Sequence, residues 1–157
     1  MTYTIREAVP EDLNALIALY PAYFAGLKTC GLSFDLRAEN LPRVLETRIR
    51  SRLLLAAVAE SEDGTIAGFA FASLQRLSAE CSCGGAASVG YINELYVAPA
   101  ARRQALSRRL MGFCEEWLRA QGVTAVQAHV LAENGAAQTM VQTYGMTPIG
   151  MIYEKKL

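Results

Sequence analysis

The stretch Val97-Ala-Pro-Ala-Ala-Arg102-Arg-Gln-Ala-Leu-Ser107-Arg-Arg-Leu110 holds the residues best placed to do chemistry. A strand-like run, Gly90-Tyr-Ile-Asn-Glu-Leu-Tyr96, leads into it, Pro99 makes a turn, and small residues with arginines then open a helix. The first turn of a helix carries N–H groups without intrahelical acceptors, and the helix dipole adds partial positive charge there. An anion, above all a phosphate, suits such an end. Ala105 and Ser107 are small enough to admit it, and Arg102 and Arg103 add charge. The plain alternative is an ordinary strand-to-helix connection with solvated arginines.

Composition narrows the class. A chain of 157 residues, 52% of them hydrophobic, is long enough for a packed core and reads as one domain over residues 1–157. Fifteen basic and fifteen acidic residues cancel, which argues against a nucleic-acid binder. Cys81-x-Cys83 has no second pair, and His129, the one histidine, is distant in sequence, so no metal site is expected. Four cysteines without regular spacing fit reduced thiols in the cytoplasm. Residues 1–6 lack a basic head and apolar core, and the apolar run 53–59 is too short for a bilayer. A cytoplasmic protein without membrane attachment is the expectation.

Residues 2–7 read as a first strand, with Tyr3 and Ile5 on one face. Pro10, Glu11 and Asp12 open a helix whose apolar stripe is Leu13, Leu16, Ile17 and Tyr20, and Pro21 is expected to disturb or end it. Residues 22–39 resist assignment. A second helix starts near Asn40 as N-cap, with Leu41, Val44, Leu45 and Ile49 inward. Strands are expected at 53–60 and 65–74, joined by a turn at Asp63-Gly64. A small, polar loop covers 78–88, followed by a strand at 89–97 and a long helix at 102–121. A fifth strand at 123–131, a helix at 134–144 and one or two closing strands at 147–155 complete the order.

The order β-α-α-β-β-β-α-β-α-β and the Val-x-Pro-x-x-Arg-x-x-small-x-small-x-x-Leu stretch resemble the GNAT superfamily of N-acetyltransferases, the latter its coenzyme A pyrophosphate loop. The resemblance implies a mixed α+β fold: a twisted, mostly antiparallel sheet flanked by helices, with the fourth and fifth strands splayed. The family pattern has Arg/Gln-x-x-Gly-x-Gly/Ala, usually with a further Gly after the Arg. Here Ala105 replaces the first motif glycine, Ser107 the second and Arg103 the additional one.

What the resemblance implies for chemistry follows residue by residue. Acetyl-CoA is the expected cosubstrate, with no metal. Its pantetheine would bond the backbone of Leu95, Tyr96 and Val97, where a main-chain N–H could polarise the thioester. Arg102, Arg103, Gln104, Ala105, Leu106 and Ser107 would take the pyrophosphate. A protonated amine must lose a proton before it attacks. Glu94 is the expected base, with His129 as second option and an ordinary surface charge as the plain reading. Many relatives protonate the leaving thiolate with a Tyr in Asn-x-x-Ala-x-x-x-Tyr; this chain has Asn134 and Ala137, then Val141. Tyr144, one turn on, is the substitute acid, or else a core aromatic. Asn134 would bond pantetheine, cap its helix, or both. Tyr91 and Tyr96 are further phenols near the expected cleft.

The function expected is acetyl transfer to a primary amine of a small molecule or peptide. The alternatives are an acyl-CoA-binding sensor that has lost turnover, favoured by Val141, and an interaction domain without cofactor. The acceptor is expected to meet residues 21–40 and 75–88, where Tyr23, Phe24, Phe34 and Asp35 line a pocket or pack the core. Homodimerisation is common among the proteins resembled, but no interface is legible.

Overall fold

The computed structural model describes residues 1–157. Its five strands, β1 (Tyr3–Glu7), β2 (Leu54–Ser61), β3 (Ile66–Arg76), β4 (Ser88–Val97) and β5 (Val126–Ala128), lie in the order β1-β2-β3-β4-β5. The first three pairings are antiparallel and β4–β5 is parallel. Helices α1 (Leu13–Thr29) and α2 (Leu41–Arg50) cover one face; α3 (Leu106–Ala120) and α4 (Gly135–Thr143) lie against the other. No helix is long and apolar enough to cross a membrane.

Alternation along β2 and β3 builds two unlike cores. Toward α3 point Ala57, Ala59, Ala67, Ala70 and Ala72, a low bed on which Leu106, Leu110, Met111, Cys114 and Leu118 settle. Close approach continues onto β4, where a Cβ on Gly90 would stand 2.9 Å from a Leu118 methyl. Toward α1 and α2 point Val58, Phe69 and Phe71, meeting Leu16, Tyr20, Leu41 and Leu45. Tyr20 stacks on Phe69 with ring centroids 5.4 Å apart. Buried Asp12, ahead of α1, is held by Arg6 of β1 at 2.7 and 2.9 Å.

Several sequence expectations need correction. Pro21 does not end the first helix; α1 runs through it to Thr29. Proline there forfeits one intrahelical bond, but Tyr20, Tyr23 and Phe24 pack on either side of it and keep the turn in place. Asn40 makes no side-chain cap; a single 3-10 turn, Ala38–Asn40, leads into α2. The third helix begins at Leu106 rather than 102, because Arg103 and Ala105 take left-handed backbone angles. The fifth strand shrinks to Val126–Ala128. The closing strands are absent: residues 147–157 carry no regular structure and are all exposed.

Candidate active site

Half-way along, β4 loses one neighbour. Gly90, Tyr91 and Ile92 face Val126, Gln127 and Ala128 of β5; beyond Ile92 only β3 remains beside it, and residues 93–97 present an open backbone edge. The register slips at the same place. Phe71 pairs with Glu94 but Ala72 with Ile92, which leaves Asn93 as the extra residue of a bulge. One extra residue exchanges the faces of all that follow. Ile92 therefore lies in the α3-side core, while Glu94 turns toward α1 and α2 beside Tyr96.

Two side chains meet Glu94 there. Arg48 of α2 donates to Oε1 at 2.9 Å, and the Tyr20 hydroxyl of α1 donates to Oε2. The same guanidinium nitrogen also reaches the Tyr20 oxygen at 2.9 Å, and the guanidinium carbon lies 5.0 Å from the centre of the Phe71 ring. Burial, and then the charge of Glu94, push the Tyr20 phenol well above its ordinary range, so it stays a donor. Neighbouring Tyr23 is raised for the same reasons. The Glu94 side chain keeps 16% of its surface exposed.

The turn after β4 leaves a run of backbone amides free. Arg103 (φ 63°) and Ala105 (φ 56°) are left-handed at two positions where the family pattern carries glycine. The backbone N–H groups of residues 103–108 have neither backbone nor side-chain acceptors; the first helical bond runs from the Arg109 N–H to the Ala105 carbonyl. Successive free amides around left-handed residues form a concave, positive nest. Val97, Arg102, Arg103, Ala105, Ser107 and Met140 line a hollow of about 330 Å³ beside them. Arg102 is steadied by its Nε on the Val97 carbonyl at 3.2 Å, and Arg109 ties this end of α3 to the Tyr3 carbonyl of β1 at 2.8 Å. Gln104 is exposed and Leu106 buried, so Leu106 offers the hollow only its backbone.

The remaining candidates lie apart. Tyr144 packs on the α3 side and donates to Glu115 at 2.7 Å, with Arg108 stacked 5.6 Å over its ring. Burial, with the bond to Glu115, pushes its phenol up to about 12. It and Glu94 thus occupy opposite faces of the sheet, and the fold does not bring them together. Asn134 caps α4, its Oδ1 accepting from the Ala137 N–H at 3.1 Å. Val141 packs against the α3-side core, and His129 is exposed just past β5. Arg48 and Tyr20 were not singled out as site residues from sequence. The signal was a basic residue on the apolar stripe of α2, one turn from Val44 and Leu45.

A sequence model of the acetyltransferase (GNAT) family matches residues 17–146 of the chain. The chain belongs to the GNAT acetyltransferase family. An aminoglycoside N(6′)-acetyltransferase type 1 of Klebsiella aerogenes is 30% identical over 95 residues, a match that spans 60% of this chain and 60% of that relative's length. Among solved structures, a mutant of the BH1408 protein of Bacillus halodurans superposes with a TM-score of 0.83 at 21% identity, covering 98% of this chain and 99% of that one. The aminoglycoside N-acetyltransferase AAC(6′)-Iy in complex with CoA gives 0.79 at 19% identity, covering 99% and 96%. These likenesses extend the GNAT fold over essentially the whole chain.

Proposed function

We propose that this protein transfers the acetyl group of acetyl-CoA to a primary amine of a small polar molecule, in the cytoplasm where that donor is available. The observation that carries the proposal is the run of unpartnered amides at 103–108 leading back to the open edge of β4 and to Glu94. Backbone groups of Leu95, Tyr96 and Val97 would hold the pantetheine amides. Residues Arg102 to Ser107 would hold the pyrophosphate, and the Asn134 side-chain amide, donating nothing within the chain, would add a contact.

Glu94 then serves as the base. Arg48 and Tyr20 fix the carboxylate at the mouth of the splay while leaving part of it exposed. The amine attacks the thioester carbon, a C–N bond forms and the C–S bond breaks. The ammonium proton passes to Glu94, directly or through one water. Water protonates the leaving thiolate, since Val141 cannot and the Tyr144 proton is engaged by Glu115. Tyr144 instead fastens the end of α4 to α3.

The relative from Klebsiella aerogenes is named for aminoglycoside acetylation. Primary amines of amino sugars are therefore the first acceptors to try, with polyamines and short peptides beside them. The test is thiol release from acetyl-CoA by purified protein across that panel, with calorimetric titration of coenzyme A in parallel. Acceptor-dependent release is the expected result. Binding without release from any amine would leave the sensor reading, and absence of both would defeat the proposal.

A further inference from the structure

Arg48 is only half used by its own chain. Its Nη1 makes both of its hydrogen bonds, to Glu94 Oε1 and to the Tyr20 oxygen, each at 2.9 Å. Nε and Nη2, which share the other edge of the guanidinium, donate to nothing, and the side chain keeps 28% of its surface exposed. The Tyr23 hydroxyl is likewise without a partner. Burial, and then the charge of Glu94, raise its pKa, so it remains a donor. No buried polar side-chain atom lacks a hydrogen bond, so these three free donors open to water. A guanidinium edge in that state takes a carboxylate by two parallel bonds.

Charge points the same way. Glu94 and Arg48 already cancel each other. An acceptor with only an ammonium group would leave one unbalanced charge in this half-buried site, which is costly away from water. An acceptor with one ammonium and one carboxylate leaves none. The cap over this face, residues 13–52, holds six basic residues and three acidic ones, which sets it against a polycation. We propose that the acceptor is an α-amino acid, its amine at Glu94 and its carboxylate on the free edge of Arg48, with the Tyr23 hydroxyl as a third donor. Because Glu94 and Arg48 touch, the two groups they hold must be close neighbours on the acceptor, as they are when both sit on one carbon. This inference rests on the acetyl-transfer reading and narrows its acceptor. The ammonium gives one proton to Glu94, the nitrogen attacks the thioester carbon, and the C–S bond breaks as the C–N bond forms. The nitrogen gives its second proton to water and the thiolate takes one from water, leaving an N-acetyl amino acid and coenzyme A.

The test follows thiol release from acetyl-CoA with the common α-amino acids, with the amide and the decarboxylated amine of each, and with glucosamine. For the best amino acid, kcat/KM should exceed that of its amide, its decarboxylated amine and glucosamine by at least roughly tenfold. The amide has the less basic amine, more of which is free at neutral pH, so basicity cannot produce that order. Arg48→Lys loses the fork, and it should raise KM for the amino acid about fivefold while KM for the amide stays within about twofold. A residue that only steadied Glu94 would lower kcat for both and leave both KM values alone, and that result would overturn the inference. A smaller preference for the amino acid, or the reverse order, would overturn it on the unmodified protein while acetyl transfer itself stood. Release from no compound in the panel would overturn it together with the acetyl-transfer reading.

Discussion

The two faces of the sheet are made of different matter. Under α3 the strands offer alanines, and the helix lies close on them, which brings its N-terminus up to the end of β4. Under α1 and α2 the strands offer Phe69, Phe71 and Tyr96, and within that aromatic layer sits one charged group, Glu94, with its own cation and phenol. A low aliphatic bed sets where a backbone end lies; a tall aromatic layer leaves only a small part of a carboxylate open to water. On the proposed function, the α3 face fixes the cofactor and the α1/α2 face handles the proton. Each face should then fail in its own way.

The largest effect is expected from Glu94→Gln. Removal of a general base slows turnover by about 100-fold or more, while calorimetry should find acetyl-CoA affinity within about twofold of wild type if the proton and cofactor functions are separate. Equal losses in both would show that the faces are not separable. Next comes Ser107→Asp, which sets a negative charge among the free amides. Coenzyme A should bind about tenfold more weakly, equivalent to about 1.4 kcal/mol, with the shape of the pH–rate profile unchanged.

Arg48→Lys keeps the charge but loses the planar fork that reaches Glu94 and Tyr20 together. Steady-state kinetics should show kcat reduced about fivefold with KM for acetyl-CoA untouched, the energy of one imperfect hydrogen bond. The smallest effect runs the other way. Ala105→Gly releases a left-handed strain of about 1 kcal/mol, and it should improve either coenzyme A affinity or thermal stability by that amount. A loss in both would mean that the methyl group touches something the hollow needs.

Much of the α3-face machinery was legible in the sequence because it is local. Val97 to Leu110 is continuous, and small residues at fixed offsets announce a helix end whatever folds around it. The free amides and the hollow lie where that spacing put them, and two positions read as glycine substitutes turn out to be left-handed. The other face was legible only in part. Glu94 could be picked out, but its partners Tyr20 and Arg48 are 74 and 46 residues away, and each sits in an apolar helical stripe where it reads as packing. The Asn93 bulge left no mark either, since an added residue in a strand changes parity without changing composition. Residues 147–155 were read as one or two closing strands, and the structure pairs none of their backbone groups.

Asn93 also shows how one surplus residue shapes the strand that carries this site. Delete that one residue and the ladder closes up: Glu94 and Ile92 would still oppose Phe71 and Ala72 and keep their faces, but the local kink where β4 parts from β5 would be lost. No residue at the centre would have changed identity. A single-codon deletion there would straighten β4 while leaving Glu94 beside Arg48 and Tyr20, so its cost should fall on the gap between β4 and β5 rather than on the carboxylate.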